Sequence, residues 1–225
     1  MRILEHSEFS DSNSIGGDHR ENQDSLLVDE EKSIFAIADG VGGYEGGKIA
    51  SLLAVQLLQE NLGRDSTERD LRECIRQIHD DMQNQAKELD HPYMGTTLAV
   101  CKIVSSDSAI CANVGDSPIF LVRNGSAVAL YQDDSERYSN PQNTWSLTQY
   151  LGLPVGRIEV HSRITDLMKG DVLLICSDGV SDNLFGGGLG SIAELAKPLD
   201  AKQLVEAAIK KNLKHDDMSA ILIHL

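Results

Sequence analysis

Ile34-Phe35-Ala36-Ile37-Ala38-Asp39-Gly40-Val41-Gly42-Gly43-Tyr44-Glu45-Gly46-Gly47 holds the decisive junction of this chain. Five apolar residues in a row read as a short buried strand, and the glycine-dense run after them fits no regular element. Between the two stands one carboxylate, Asp39. A lone Asp-Gly after a strand is ordinarily a turn. This junction recurs, however: Val172-Leu173-Leu174-Ile175-Cys176-Ser177 runs into Asp178-Gly179. Asp116 follows Asn113-Val114-Gly115, Asp24 precedes the strand beginning at Ser25, and Asp216 and Asp217 stand directly before a final strand. Glycine lets backbone carbonyls approach a ligand closely, so repeated strand-end carboxylates beside glycines suggest a site.

Outward from this junction the elements group by type. Residues 25–29 and 34–38 read as strands joined by the charged turn Glu30-Glu31-Lys32. A helix is expected over about 48–62, with Ile49, Leu52, Leu53, Leu57 and Leu58 on its buried side. Thr67 starts a second helix, answered across the first turn by Asp70. Leu71, Ile75, Ile78, Met82, Ala86 and Leu89 keep its period, and the two helices are expected to pair antiparallel across one sheet face. Strands follow over 96–104, 109–114, 119–122 and 127–130. The polar stretch 131–149 reads as a long connection of the kind that often carries function. Strands resume over 158–164 and 172–176; Leu204, Ala207, Ala208 and Leu213 suggest a last helix, and 218–224 a closing strand. Strands grouped with strands and helices with helices favour α+β over a βαβ alternation.

The chain has 225 residues, room for one domain with a real core, and 41% hydrophobic residues argue against disorder. Against 20 Lys and Arg stand 35 Asp and Glu, a formal net charge of −15. So acidic a surface repels phosphate backbones and anionic lipid, so neither nucleic acid nor membrane is an expected partner. It suits cations. The N-terminus shows no apolar signal segment, and Cys74, Cys101, Cys111 and Cys176 form no CxxC pair. They read as reduced core thiols of a cytoplasmic protein.

If the strands lie side by side, their terminal carboxylates converge. Two carboxylates about 6 Å apart repel by roughly 3 kcal/mol at an effective dielectric near 20, so four or five require cations or protons. Oxygen-only ligands select Mg²⁺ or Mn²⁺ over Zn²⁺, and the seven histidines show no zinc spacing. Two such metals commonly activate a water to attack phosphorus.

Six segments appear in order: His19-Arg20-Glu21-Asn22-Gln23-Asp24-Ser25, Asp39-Gly40-Val41-Gly42-Gly43, Gly95-Thr96-Thr97, Gly115-Asp116-Ser117, Ser177-Asp178-Gly179 and Asp216-Asp217-Met218-Ser219. Together, from about residue 15 to 225, they resemble the metal-dependent type 2C (PPM) serine/threonine protein phosphatases in their compact bacterial form. The resemblance implies a four-layer αββα sandwich, two central and mainly antiparallel β-sheets flanked by helix pairs. It also implies one catalytic domain over 1–225, with a short flap at about 131–150.

The implied reaction is hydrolysis of phosphoserine and phosphothreonine on proteins by water activated on two Mn²⁺ or Mg²⁺ ions. Asp39 would bridge the ions, the Gly40 carbonyl would complete one, and Asp178 and Asp216 the other; these three aspartates are the expected catalytic set. Asp116, with Asp178, would hold a weaker third ion. Gln23 would touch the site through water, Asp24 would order it from behind, and Asp217 would stand beside the ions. Gly95-Thr96-Thr97 would be structural. The implied partners are phosphoproteins and a cognate Ser/Thr kinase, with monomer the default state.

Three positions depart from the family pattern. His19 stands where a phosphate-binding arginine is usual, with Arg20 next to it, so either one is the expected phosphate contact; histidine lacks the bidentate fork. Tyr44 stands where bacterial members often carry histidine, and a phenol with an ordinary pKa near 10 is a poorer proton donor at neutral pH. Asp217 replaces the usual asparagine of the last motif. The changes at His19 and Tyr44 motivate an alternative, a weak or inactive pseudophosphatase acting as a phosphoprotein-binding regulator. A two-metal nuclease would need a basic stripe, which the chain lacks. Cys176, inside an apolar strand with no cationic neighbour, reads as core rather than as a nucleophile.

Overall fold

The computed structural model of the chain describes residues 3–9, 22–41, 45–91, 94–137, 145–154, 156–185, 200–211 and 213–225. In chain order the strands and helices are β1 (Ile3–Phe9), β2 (Ser25–Asp29), β3 (Ile34–Ala38), α1 (Glu45–Asn61) and α2 (Glu68–Glu88). Next come β4 (Leu98–Ser105), β5 (Ser108–Val114), β6 (Ile119–Arg123), β7 (Ser126–Ala129), β8 (Ser135–Arg137) and β9 (Trp145–Leu147). The rest are β10 (His161–Asp166), β11 (Val172–Cys176), α3 (Asp178–Phe185), α4 (Ala201–Lys211) and β12 (Met218–His224).

Two five-stranded sheets, β1-β12-β11-β6-β7 and β10-β5-β4-β3-β2, are antiparallel throughout. β3 explains how they stack. All five of its residues are buried, and strand side chains alternate between faces. Ile34, Ala36 and Ala38 join one apolar cluster with residues of α1 and α2. Phe35 and Ile37 join another with Leu173, Ile175, Ile221 and Ile223 of the opposite sheet. β11 repeats the logic: Leu174 and Cys176 face α3 and α4, while Leu173 and Ile175 face inward. A strand covered on both faces has no polar side to show, which is why both segments read as unbroken apolar runs. The result is the expected four-layer αββα sandwich. Its fully buried Ile37, Ile175 and Ile221 contribute about 1.5–3 kcal/mol each by leaving water.

α2 matches its reading closely. Thr67 caps it, its side chain and that of Asp70 forming a reciprocal capping box. Leu71, Ile75, Ile78, Met82 and Ala86 are buried. α1 differs. It begins at Glu45, and its buried face is Ala50, Ala54, Val55 and Leu58, while Ile49 and Leu52 are 37% and 49% exposed and Leu53 and Leu57 half-buried. The helix buries its small residues: Ala50 and Ala54 are fully buried, and a Cβ on Gly46 would come within 3.3 Å of the Cα of Met94, in the connection before β4. Close approach of the backbones outweighs burial of the larger side chains.

Four elements have no counterpart in the sequence reading: β1, which pairs with β12 from Ile3↔His224 to Phe9↔Met218; the short paired strands β8 and β9; and α3, which begins at Asp178 itself.

Candidate functional site

Antiparallel pairing puts the C-terminal ends of β3, β5 and β11 and the N-terminal ends of β2 and β12 at one end of the sandwich. Asp39, Asp116, Asp178, Asp216 and Asp24 occupy those ends.

The backbone of Asp39 is fully engaged. Its N–H donates to Thr97 Oγ1 at 3.1 Å, and its carbonyl accepts from the Thr97 N–H at 2.8 Å and from Thr96 Oγ1 at 2.7 Å. Thr97 Oγ1 in turn shares a 2.7 Å hydrogen bond with Ser117 Oγ, next to Asp116. The Gly95-Thr96-Thr97 segment thus clamps the strand end. Gly40 presses against the start of α1, where a Cβ would stand 2.6 Å from the Gly47 carbonyl carbon and oxygen. No other residue fits there.

Burial and neighbouring charges act on these carboxylates together. Burial, then the charges of Asp24, Asp178, Asp216 and Asp116, hold the Asp39 carboxyl well above the usual carboxylate range. Burial and Asp178 do the same to Asp116. Asp216 is pushed up to about 6 by burial and Asp178, with Lys214 opposing. Asp24, 1% exposed, is pushed up to about 7 by burial, with Ser219 opposing and Asp217 adding to the rise. The Ser219 and Ser177 hydroxyls favour its anion, yet neither Asp24 oxygen takes a hydrogen bond of ordinary geometry.

Behind this group, Asp217 Oδ2 accepts from the Gln23 N–H at 2.7 Å, and the Gln23 carbonyl accepts from Ser51 Oγ at 2.6 Å. Asp134 is stapled beside Asp116: its Oδ2 accepts from the Gly115 N–H at 2.9 Å, and its N–H donates to the Gly115 carbonyl at 3.2 Å. His161 Nε2 meets Asp134 Oδ1 at 2.9 Å. His19, Arg20 and Tyr44 lie outside the described residues.

A family model described as protein phosphatase 2C matches residues 16–214. The chain belongs to the protein phosphatase 2C family. It is a phosphoprotein phosphatase, a hydrolase of phosphoric monoesters. A putative protein phosphatase 2C-type from Streptococcus pyogenes is 31% identical over 93% of this chain and 94% of its own length. The solved serine/threonine phosphatase of S. agalactiae is 28% identical with a TM-score of 0.78, covering 99% of this chain and all of that one. The catalytic domain of the serine/threonine protein phosphatase PstP, solved in complex with two manganese ions, is 22% identical with a TM-score of 0.74. It covers 100% of this chain and 99% of its own and shares the fold.

In this protein phosphatase 2C chain the sequence reading missed three contributors. Lys214 Nζ reaches Asp216 at 3.1 Å and Asp182 at 3.4 Å and makes a shorter ion pair with Asp178. Burial pulls its ammonium down, but Asp178, Asp216 and Asp182 outweigh that and hold it well above the ordinary lysine value. Asp182 lies one turn along α3 from Asp178, a spacing legible only once α3 is known to begin there. Asp133 is pushed up to about 6 by burial and by Asp182, Asp134 and Asp178, so it faces the same charges.

Among the described residues no three Asp, Glu, His or Cys side chains form a ready-made metal cage. The donor set nonetheless fits a hard divalent cation. It is all oxygen, Asp178 Oδ1 is buried without a hydrogen-bond partner, and the mutual repulsion calls for positive charge. All four cysteines are free and buried. Burial, then nearby Asp178 and Asp182, push the Cys176 thiol far above its ordinary value, so it is no nucleophile.

Proposed function

We propose that this protein phosphatase removes phosphate from phosphoserine and phosphothreonine on proteins, with Asp39, Asp178 and Asp216 as its catalytic metal ligands. One observation carries the reading: carboxylates from separate strand ends gather around Asp39, and its burial together with the charges of Asp24, Asp178, Asp216 and Asp116 disfavours its ionisation. Asp39 and the Gly40 carbonyl, with Asp178 and Asp216, would hold two Mn²⁺ or Mg²⁺ ions, and Asp116 with Asp178 a third. When bound, these ions supply a water acidic enough to attack phosphorus near neutral pH.

The protein's own groups do the rest. Thr96 and Thr97 fix the backbone of Asp39, so its carboxylate is presented without searching. Asp24, Gln23 and Asp217 order the wall behind it. His19 or Arg20 holds the phosphoryl oxygens, and Tyr44 or water returns a proton to the leaving serine or threonine oxygen. The chain acts as one catalytic domain, with 131–150 as a flap that bounds substrate access beside Asp116. The regulator alternative rests on positions 19 and 44, and no observation favours it.

The substrates are phosphoproteins, with a Ser/Thr kinase as the opposing enzyme and a monomer as the working form. Four free, buried cysteines support a reducing, cytoplasmic setting. Among the described residues no helix is long and apolar enough to cross a membrane. The deciding experiment follows p-nitrophenyl phosphate and phosphothreonine-peptide hydrolysis with Mn²⁺, beside EDTA and Asp39→Asn controls. Turnover lost in both controls is expected; folded, Mn²⁺-loaded protein without turnover would restore the regulator alternative.

A further inference from the structure

Lys214 stands two residues before Asp216, and its ammonium lies among three carboxylates, those of Asp178, Asp182 and Asp216. The turn that delivers it is built rather than loose. Asn183, fully buried on α3, accepts at Oδ1 from the Leu213 and Lys214 N–H groups at 2.6 and 2.9 Å. Its Nδ2 donates to the Lys214 carbonyl at 2.9 Å and to the Gly179 carbonyl at 2.7 Å. The helix that begins with Asp178 and carries Asp182 therefore also fixes Lys214 beside them.

This ammonium pairs with Oδ2 of both Asp178 and Asp216, the two carboxylates that a divalent cation there requires, and it stands beside the unpartnered Asp178 Oδ1. A compact point charge and a hard cation cannot share them at contact distance, because the two cations repel. We propose that Lys214 is a resident cation that must withdraw from Asp178 and Asp216 before metal binds there, and so sets how tightly that position holds its ion. The inference rests on the reading of Asp178 and Asp216 as metal ligands. Before loading, Lys214 balances the carboxylates; after loading, its charge is surplus and opposes the ion.

The test is Mn²⁺ binding to the metal-free full chain by titration calorimetry, with melting curves in EDTA alongside. Lys214→Met is expected to bind Mn²⁺ about tenfold or more tightly at one position, since a neighbouring positive charge has gone. Its metal-free form should melt lower, because Asp178 loses its counter-charge. Lys214→Gln, the second neutral variant, should agree, and Lys214→Arg should keep wild-type affinity. Lys169, exposed in the turn before β11 at the opposite end of that strand, controls for net charge, and Lys169→Met should change little.

Affinity unchanged or weakened in both neutral variants would overturn the proposal, as would an equal gain in Lys169→Met. If wild type binds Mn²⁺ and the neutral variants bind it equally, only the role of Lys214 fails. If neither wild type nor variant binds Mn²⁺, the metal-ligand reading fails and this inference with it.

Discussion

The backbone of Gly179 lies so close to the Asp217 carbonyl that a Cβ at Gly179 would stand 2.1 Å from that oxygen, and 3.2 Å from the Cβ of Asp216. Asp178 adjoins one side of this contact and Asp216 the other. Two carboxylates 38 positions apart in the chain are thus set side by side by a place where a side chain is missing. Glycine serves there for its lack of volume.

Gly179→Ala is therefore expected to force α3 and the approach to β12 apart. Overpacking of this kind costs about 1–3 kcal/mol, read as a lowered melting temperature. Hydrolysis of p-nitrophenyl phosphate should fall further than the loss of stability explains, since both carboxylates move. A variant that melts and turns over like wild type would show that the contact yields freely.

Asp39→Asn should separate activity from stability. Burial and then like charges oppose the ionised carboxylate, so a neutral amide of the same size relieves the metal-free protein, and its melting temperature in EDTA should rise. Turnover with Mn²⁺ should drop by at least about a hundredfold, because a metal ligand is lost. Retained turnover would remove Asp39 from the machinery.

Metal and pH should act on stability in opposite ways. Asp24 and Asp216 titrate in the folded, metal-free protein near 7 and 6, against 3.8 as their ordinary value. Across about pH 4 to 7 the folded chain then holds more protons than the unfolded chain, so this contribution makes stability fall as pH rises. Divalent cations replace those protons. Millimolar Mn²⁺ at neutral pH should raise the melting temperature, an ion at 100 times its Kd adding about 2.7 kcal/mol. Melts with and without EDTA across this range check both signs; no shift with Mn²⁺ would mean that the carboxylates do not jointly hold metal.

Cys176→Ala should leave hydrolysis within about twofold of wild type while lowering stability by about 1 kcal/mol, the ordinary cost of a small core truncation. The thiol is fully buried on the helix-facing side of β11. Abolished activity in a variant that melts normally would reopen a role for it in the chemistry.

The unbroken apolar runs of β3 and β11, each ending in Asp-Gly, were legible because double-sided burial removes the polar face of a strand. The period of α2 and its capping pair, Thr67 and Asp70, were equally plain, since both signals lie within a few residues of each other. α1 was placed with part of its buried face: Leu58 is buried and Leu53 and Leu57 pack against the core, but counting large side chains also pointed to Ile49 and Leu52, which are exposed, where the core takes Ala50 and Ala54. α3 was hidden because Asp178-Gly179 also reads as a turn, and nothing local distinguishes a helix start there. β1 owes its strand partner to β12, some 215 positions later.

Local chemistry by itself determined which residues could act: strand-end aspartates beside glycines, in an order that identified a protein phosphatase 2C. Only the tertiary structure decided what surrounds them. Antiparallel pairing brought those strand ends to one end of the sandwich, α3 added Asp182, and the loop before β12 inserted Lys214 among the carboxylates. The physical reason is range. Periodicity and capping act over a few residues, whereas charges interact through space, and the spacing that sets their energy exists only once the two sheets have packed.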